Sequence, residues 1–313
     1  MTNRNASHTV AVAGGSGFVG SAIVAELLSR GHRVVVLSRR SGAAAAAPDH
    51  SPEYRAADVT RPETLGPALA GVDALVISLA FRNSPIEAPR RGQTFERVDA
   101  GGTEALVAAA RGATAGGTGI GRIVYMSGAG ADPEAPRHWF RAKWRAEEAV
   151  RGSAIPYTIF RPSWIYGPGD RSLNRFLGFA RRLPFVPQIG SGKQRLAPVF
   201  VADMAALVAD ALETPATENQ VLEVGGPQVL TMDEIVREAL RVAGKRRPIL
   251  HSPAGLMKLL TRPLTLLPSP PLTPDAIDFM TASSPVDTER LGRLLPRRLR
   301  TLSEGLATYV GRK

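Results

Sequence analysis

The 313-residue chain has no cysteine. That excludes disulfides, cysteine-ligated zinc and cysteine nucleophiles, and it fits a reducing compartment. No uninterrupted apolar run is long enough to span a bilayer. Residues 1–8 are polar and lack the apolar core of a secretory signal, so a cytoplasmic protein is expected. No metal site is expected either. What the chain does have is 44% hydrophobic residues, enough for a sizeable core. Its length suits one large α/β unit with a smaller appended lobe. It is basic, with a formal net charge of +11 and a sequence pI of about 10.7. Such a balance points to acidic partners: nucleotides, nucleic acid or anionic lipid. Residues 289–313 hold seven basic and two acidic side chains. No nucleic-acid-binding motif accompanies them, so a solvated surface is the preferred reading and nucleic acid is not expected.

The most informative stretch is Ala13-Gly14-Gly15-Ser16-Gly17-Phe18-Val19-Gly20. An apolar, β-branched run (9–12) precedes it, a helical pattern (18–30) follows, and a second strand candidate (33–37) comes next. Strand, glycine turn, helix, strand is the context that a dinucleotide pyrophosphate requires. The glycines permit the tight turn and let the backbone approach the phosphates. The helix offers unpaired N–H groups and the positive end of its dipole. The alternative is a glycine-rich structural turn.

Strand and helix candidates alternate through the first half. Strands are expected at 9–13, 33–37, 54–57, 74–79, 123–127, 158–161 and 220–224. Helices are expected at 94–111 and 136–152. This alternation predicts an α/β fold with a doubly wound, mostly parallel Rossmann sheet. Residues 41–52, 82–92 and 112–121 read as loops. Beyond a turn-rich exit at 161–170, helices are expected at 173–182, 202–213, 232–243 and 255–267. The expected division is a dinucleotide-binding domain at 1–167. Residues 168–313 would add further cover and a small, mainly helical C-terminal lobe for substrate or partner.

The second strand ends in Ser38-Arg39-Arg40, with no carboxylate to hold a ribose 2′-hydroxyl. A 2′-phosphate suits this end, because serine can hydrogen-bond it and arginine can pair with it. NADP(H) is therefore expected over NAD(H), unless both arginines point to solvent. Asp58-Val59 could accept from the adenine amino group and cover the ring, or form a plain loop. Ligands in such sheets bind beyond the strand C-termini. Leu79 and Ala80, and Pro162, Ser163 and Ile165, are therefore further cofactor candidates, with a substrate pocket between Ser127, Ser163 and the small lobe.

The chain resembles the extended and atypical short-chain dehydrogenases, the NAD(P)-dependent epimerase/dehydratase-like proteins, over nearly its whole length. The resemblance rests on Gly14, Gly17 and Gly20; Asp58-Val59; Asp99 with Gly102-Thr103; Tyr125-Met126-Ser127; Lys143; Arg161-Pro162; Tyr166 to Asp170; and Val224 to Pro227. It implies that Ser127 orients a carbonyl and that Lys143 holds the nicotinamide ribose. It also implies a catalytic tyrosine four residues before that lysine. Here that residue is Trp139, whose indole is a donor only and has no useful acidity near neutral pH. The family asparagine is Asp99 here, a second departure. Tyr166 and His138 are the remaining proton donors to consider, against a packing role for the tyrosine and simple exposure for the histidine. Within the family, residues 219–235 and 256–280 resemble the branch containing NmrA-like proteins, the nucleotide-binding accessory subunit of respiratory complex I and its bacterial relatives. Members of that branch hold NADPH tightly and generally lack a demonstrated reaction.

Two functions follow from the resemblance. One is an oxidoreductase acting on a carbonyl, quinone or conjugated alkene. The other is a non-catalytic NADPH-binding accessory or redox-sensing protein. A nucleotide-sugar epimerase is a weaker third, since it relies on the missing tyrosine. Residues 255–272, apolar with Lys258 and Arg262, are either a contact with a protein partner or membrane or, the preferred reading, a helix buried against the small lobe. A membrane contact would place the protein at the inner face of the membrane.

Overall fold

The computed structural model describes residues 7–39, 51–115 and 119–311. The first half runs β1 (Thr9–Ala13), α1 (Phe18–Ser29), β2 (Arg33–Ser38), β3 (Glu53–Ala56), α2 (Leu65–Ala68) and β4 (Ala74–Ile77). It continues with a π-helical turn (Phe95–Ala100), α3 (Gly101–Ala115), β5 (Arg122–Met126), α4 (His138–Arg151) and β6 (Tyr157–Pro162). Then come β7 (Trp164–Tyr166), α5 (Arg171–Arg182), β8 (Val186–Ile189), β9 (Arg195–Leu196), β10 (Pro198–Phe200), α6 (Val201–Glu213) and β11 (Gln220–Val224). The chain ends with β12 (Leu230–Thr231), α7 (Met232–Val242), β13 (Ile249–Ser252), α8 (Ala254–Thr261), α9 (Pro274–Thr281), α10 (Glu289–Leu294) and α11 (Leu302–Ala307).

Seven strands form one parallel sheet in the order β11-β6-β5-β4-β1-β2-β3. Its central strands are apolar on both faces because both faces are covered. Side chains alternate across the pleat. Val10, Val12, Val34, Val36 and Val76 face α1 and α6 on one side. Ala11, Ala13, Val35, Leu75 and Ile77 face the opposite core with Leu65, Leu106 and Val150. The strand order reverses between β1 and β4, which opens a crevice at their C-terminal ends, where such sheets bind ligands.

A third core joins β7, β8 and β10 to α5, α7 and α11. Asp170 caps α5, accepting from Ser172 N at 2.8 Å and Leu173 N at 2.9 Å. Thr231 and Glu234 form a capping box on α7.

Two sequence expectations change. Residues 112–115 continue α3 instead of forming a loop. Alanines at 108–110 and 113 outweigh the single Gly112, whose helix penalty is only about 1 kcal/mol. The preferred burial of 255–272 also fails. Leu256, Leu259, Leu260, Leu266 and Leu267 are all exposed. The helix α8 packs on α9 through its other side, and a 3₁₀ turn (Arg262–Leu266) follows where Pro263 ends the α-helical pattern.

Candidate functional site

The glycine turn sits at the reversal point. Gly14 has φ +82°, and a Cβ there would lie 2.2 Å from the Ser78 carbonyl oxygen. A Cβ on Gly20 would lie 2.1 Å from Gly14 O. These two glycines are thus required for β1, β4 and α1 to approach one another. Gly17 is different: it is exposed, and it caps α1 with no side-chain hydrogen bond. No acidic side chain occupies the first turn of α1. Phe18, Val19 and Gly20 are the first three residues of α1, so their N–H groups have no intrahelical partner. Gly15 is buried against Val24 and Val36, and Ser16 is exposed at the tip. This concave, uncapped, uncharged turn fits a pyrophosphate.

The neighbouring expectations converge on the same crevice. Leu79 and Ala80 follow β4, and Leu79 with Val59 closes on Gly102, where a Cβ would meet Val59 at 2.8 Å and Leu79 at 3.2 Å. Ser38 ends β2 and Arg39 is exposed beside it. Arg40 lies outside the described residues. The Asp58 carboxylate accepts from Thr60 N at 2.9 Å and Thr60 Oγ1 at 2.8 Å. Burial opposes its ionisation, but these bonds and the field of Arg39 hold it below the usual range.

Three other expected cofactor contacts are engaged in structure. Pro162 is buried, and its carbonyl accepts from Ala129 N at 3.0 Å. Ser163 Oγ donates to Ser284 O at 2.7 Å and accepts from Ala197 N at 3.0 Å. Ile165 pairs with Val199 and packs between two cores. Phe18 also faces the second half of the chain, where a Cβ on Gly169 would meet its ring at 2.7 Å.

Beyond β5, α4 lays Trp139, Lys143 and Glu147 on one face, each one turn from the next. Lys143 Nζ donates to Asp99 Oδ1 at 2.7 Å and to Met126 O at 3.3 Å. It lies 5.5 Å from the centre of the Tyr125 ring. Burial disfavours the ammonium, but the charges and hydrogen bonds of Asp99 and Tyr125 together outweigh it and raise the Lys143 pKa. Burial raises Asp99 itself. It also pushes the Tyr125 phenol up to about 12. Asp99 Oδ2 is buried with no hydrogen-bond partner among the described residues, while the Tyr125 hydroxyl borders the Lys143 ammonium. Buried polar groups of this kind are normally satisfied, and a ligand carrying its own hydroxyls would do so.

Ser127 Oγ donates to Glu147 Oε1 at 2.6 Å. A hydroxyl has one proton, so this bond competes with the donation to a carbonyl that the family resemblance implies. Glu147, which sequence reasoning passed over, is fully buried. It accepts two bonds from Arg161, at 2.8 and 2.7 Å, and one from Arg151 at 2.6 Å.

Trp139 is buried in an aromatic group with Phe81 and Phe95. The Phe279 ring of α9 meets it edge-on, 5.5 Å between centroids. Tyr166 does not reach this site as a proton donor. It is fully buried in the third core, and its hydroxyl donates to the Thr301 and Leu302 carbonyls at 3.1 and 3.4 Å. Packing is the role its surroundings support. His138 is not a lone exposed histidine: its Nε2 lies 2.8 Å from Glu87 Oε2. That bond, only partly offset by burial, raises its pKa. Glu87 and Phe279 were invisible as site residues because their partners lie 51 and 140 positions away in sequence, respectively at His138 and Trp139.

Comparison with known proteins agrees with this geometry. Residues 14–215 match the family model described as NAD(P)H-binding. The chain is 33% identical to the mitochondrial NADH dehydrogenase (ubiquinone) 1 alpha subcomplex subunit 9 of Arabidopsis thaliana over 183 residues, 55% of this chain and 46% of that subunit. The match thus spans less than half of that relative's length. It is 28% identical to the ceramide reductase of Caulobacter vibrioides over 249 residues, 80% of this chain and 75% of that enzyme. A UDP-glucose 4-epimerase of Thermotoga maritima superposes with a TM-score of 0.72 at 18% identity, covering 96% of this chain and 97% of that one, which shows the shared fold. With a glycine cradle at the sheet's reversal point and a family match covering more than half its length, the chain belongs to the NAD(P)H-binding atypical short-chain dehydrogenases.

Proposed function

We propose that this chain is an NADP(H)-dependent oxidoreductase whose acceptor is an apolar, conjugated molecule such as a quinone or an activated alkene. The observation that carries the reading is Trp139 at the family's tyrosine position, in an aromatic wall with Phe95 and Phe279. When bound, the reduced nicotinamide supplies a hydride. A simple carbonyl then becomes an alkoxide, which has a conjugate-acid pKa of about 16, like water, and demands an acid in the transition state. A quinone becomes a phenolate-like anion with a pKa of about 10 and can take its proton from solvent afterwards. Phe279, exposed at the edge of this otherwise buried group, offers a planar ring on which such an acceptor can stack. His138, held by Glu87, stands one residue from the wall as a later proton source. In this reading Lys143 holds the nicotinamide ribose, and Asp99 fixes its position.

The test is NADPH oxidation with a water-soluble quinone and with an aldehyde of similar size. Turnover with the quinone at least about tenfold faster per enzyme is expected, a difference of about 1.4 kcal/mol in barrier. Equal rates, or the aldehyde faster, would overturn the reading. Tight NADPH binding with neither acceptor reduced would support an accessory or redox-sensing role instead. The internal pairing of Lys143 with Asp99 favours that second reading.

Preference for the phosphorylated cofactor is part of the proposal. Arg39 is exposed at the end of β2, where a carboxylate would otherwise hold the ribose. Arg39→Ala should remove one charge-assisted contact of about 1.5–3 kcal/mol, weakening NADPH by roughly 10- to 100-fold. Titration calorimetry should show NADH almost unaffected. Equal losses for both cofactors would remove the assignment. The remaining partner surface is residues 255–272.

A further inference from the structure

The helix α8 is amphipathic the wrong way round. Leu256, Leu259 and Leu260, spaced to share one face, are 53%, 66% and 60% exposed. Thr261 is buried, and Lys258 is turned toward α9, where its Nζ pairs with Asp278. The apolar face thus looks outward and polar side chains look inward. The following 3₁₀ turn extends the surface with Leu266 and Leu267, 71% and 47% exposed. A surface helix normally buries its leucines, and a contiguous apolar patch of this kind marks an interaction site.

Charge indicates what covers it. Residues 239–274 contain six arginines and lysines and no aspartate or glutamate. Arg262 is exposed directly after the leucine helix, and Lys245 and Arg246 are exposed earlier in the same stretch, before β13. An exposed apolar face followed at once by Arg262, on a stretch of sequence that carries cations and no anion, is complementary to an anionic lipid surface. The patch also adjoins the aromatic group around Trp139. Asp278 binds both Lys258 and Arg137, and the next residue, Phe279, packs on Trp139.

We propose that residues 254–267 dock on an anionic bilayer, with the five leucines entering the acyl boundary and the flanking cations resting on the headgroups. The protein lies on the membrane rather than across it: among the described residues no helix is long and apolar enough to span. Docking sets the aromatic wall next to the lipid phase. It stands independently of the hydride acceptor proposed above.

Flotation of the full chain with vesicles of phosphatidylcholine alone, and with 30% phosphatidylglycerol added, tests this. Binding to the anionic vesicles at low salt is expected, falling at least tenfold at 0.5 M salt and at least tenfold in Leu259→Glu/Leu260→Glu. Lys245→Ala/Arg246→Ala/Arg262→Ala should weaken binding and flatten its salt dependence. Unchanged NADPH affinity and melting temperature in these variants establish that they fold. No flotation of the wild-type chain would overturn the proposal, as would equal flotation of the leucine variant. A lipid-free wild-type dimer that the leucine variant dissolves would assign the patch to a second copy and overturn it as well.

Discussion

Glu147→Ala is expected to destabilise the fold by about 3–5 kcal/mol, the range for breaking a buried ion pair by removing one partner. The carboxylate is fully buried and serves three side chains at once. Arg161, largely buried on β6, would lose both of its bonds, and the arginines flanking the Trp144 ring would be left to repel each other. For a chain of this size the loss corresponds to a fall in melting temperature of roughly 5–8 °C. Glu147→Gln retains an acceptor and the shape but not the charge, and it should fall between wild type and alanine. Arg151→Ala should cost much less, because Arg151 is partly exposed and also pairs with solvent-facing Glu148. Differential scanning calorimetry of the three variants checks the order. A loss below about 1 kcal/mol for Glu147→Ala would mean the cluster behaves as a surface pair.

Much of this architecture was legible because it rests on local pattern. The strands at 9–13 and 33–37 are where the pattern placed them, since continuous β-branched and apolar runs have few other uses. The cofactor cradle was legible because Gly14 and Gly20 are required by backbone approach, a constraint that shows in sequence. The departure at position 139 was visible for the same reason: it breaks a fixed four-residue spacing to Lys143. What could not be read were pairings that only the fold creates. Asp99 neutralises Lys143 across 44 residues, and Glu147 gathers Ser127 and Arg161 from two strands. Glu147 left a faint signal, one turn beyond Lys143 on the same helix face. Phe279 left none, because it reaches Trp139 only through the docking of α9. The outward leucines of α8 were misjudged because composition shows how apolar a helix is, not which face the neighbouring helix will cover.

Trp139→Tyr is expected to raise NADPH-dependent aldehyde reduction by about 10²–10⁴-fold, the usual contribution of a positioned general acid. The phenol would stand one turn before Lys143 on α4, the spacing that lets the ammonium lower its pKa. Asp99 opposes the full effect, since its carboxylate already holds the Lys143 charge at 2.7 Å. Adding Asp99→Asn releases that charge, so the double variant should reduce aldehydes faster than Trp139→Tyr alone. Asp99→Asn by itself should leave the aldehyde rate at its floor, because no acid has been supplied. Quinone reduction should change by less than about threefold in all three, since its phenolate-like product needs no acid in the hydride step. Single-turnover absorbance at the nicotinamide band, with each variant saturated with NADPH, separates these steps from binding. Suppose the double variant binds NADPH as wild type does, melts as wild type does and still ignores aldehydes. The missing phenol would then not be what limits carbonyl chemistry, and the cleft itself would be closed to a substrate beside the nicotinamide. That result would move the protein to the accessory reading, with the cofactor as a fixed part of the fold.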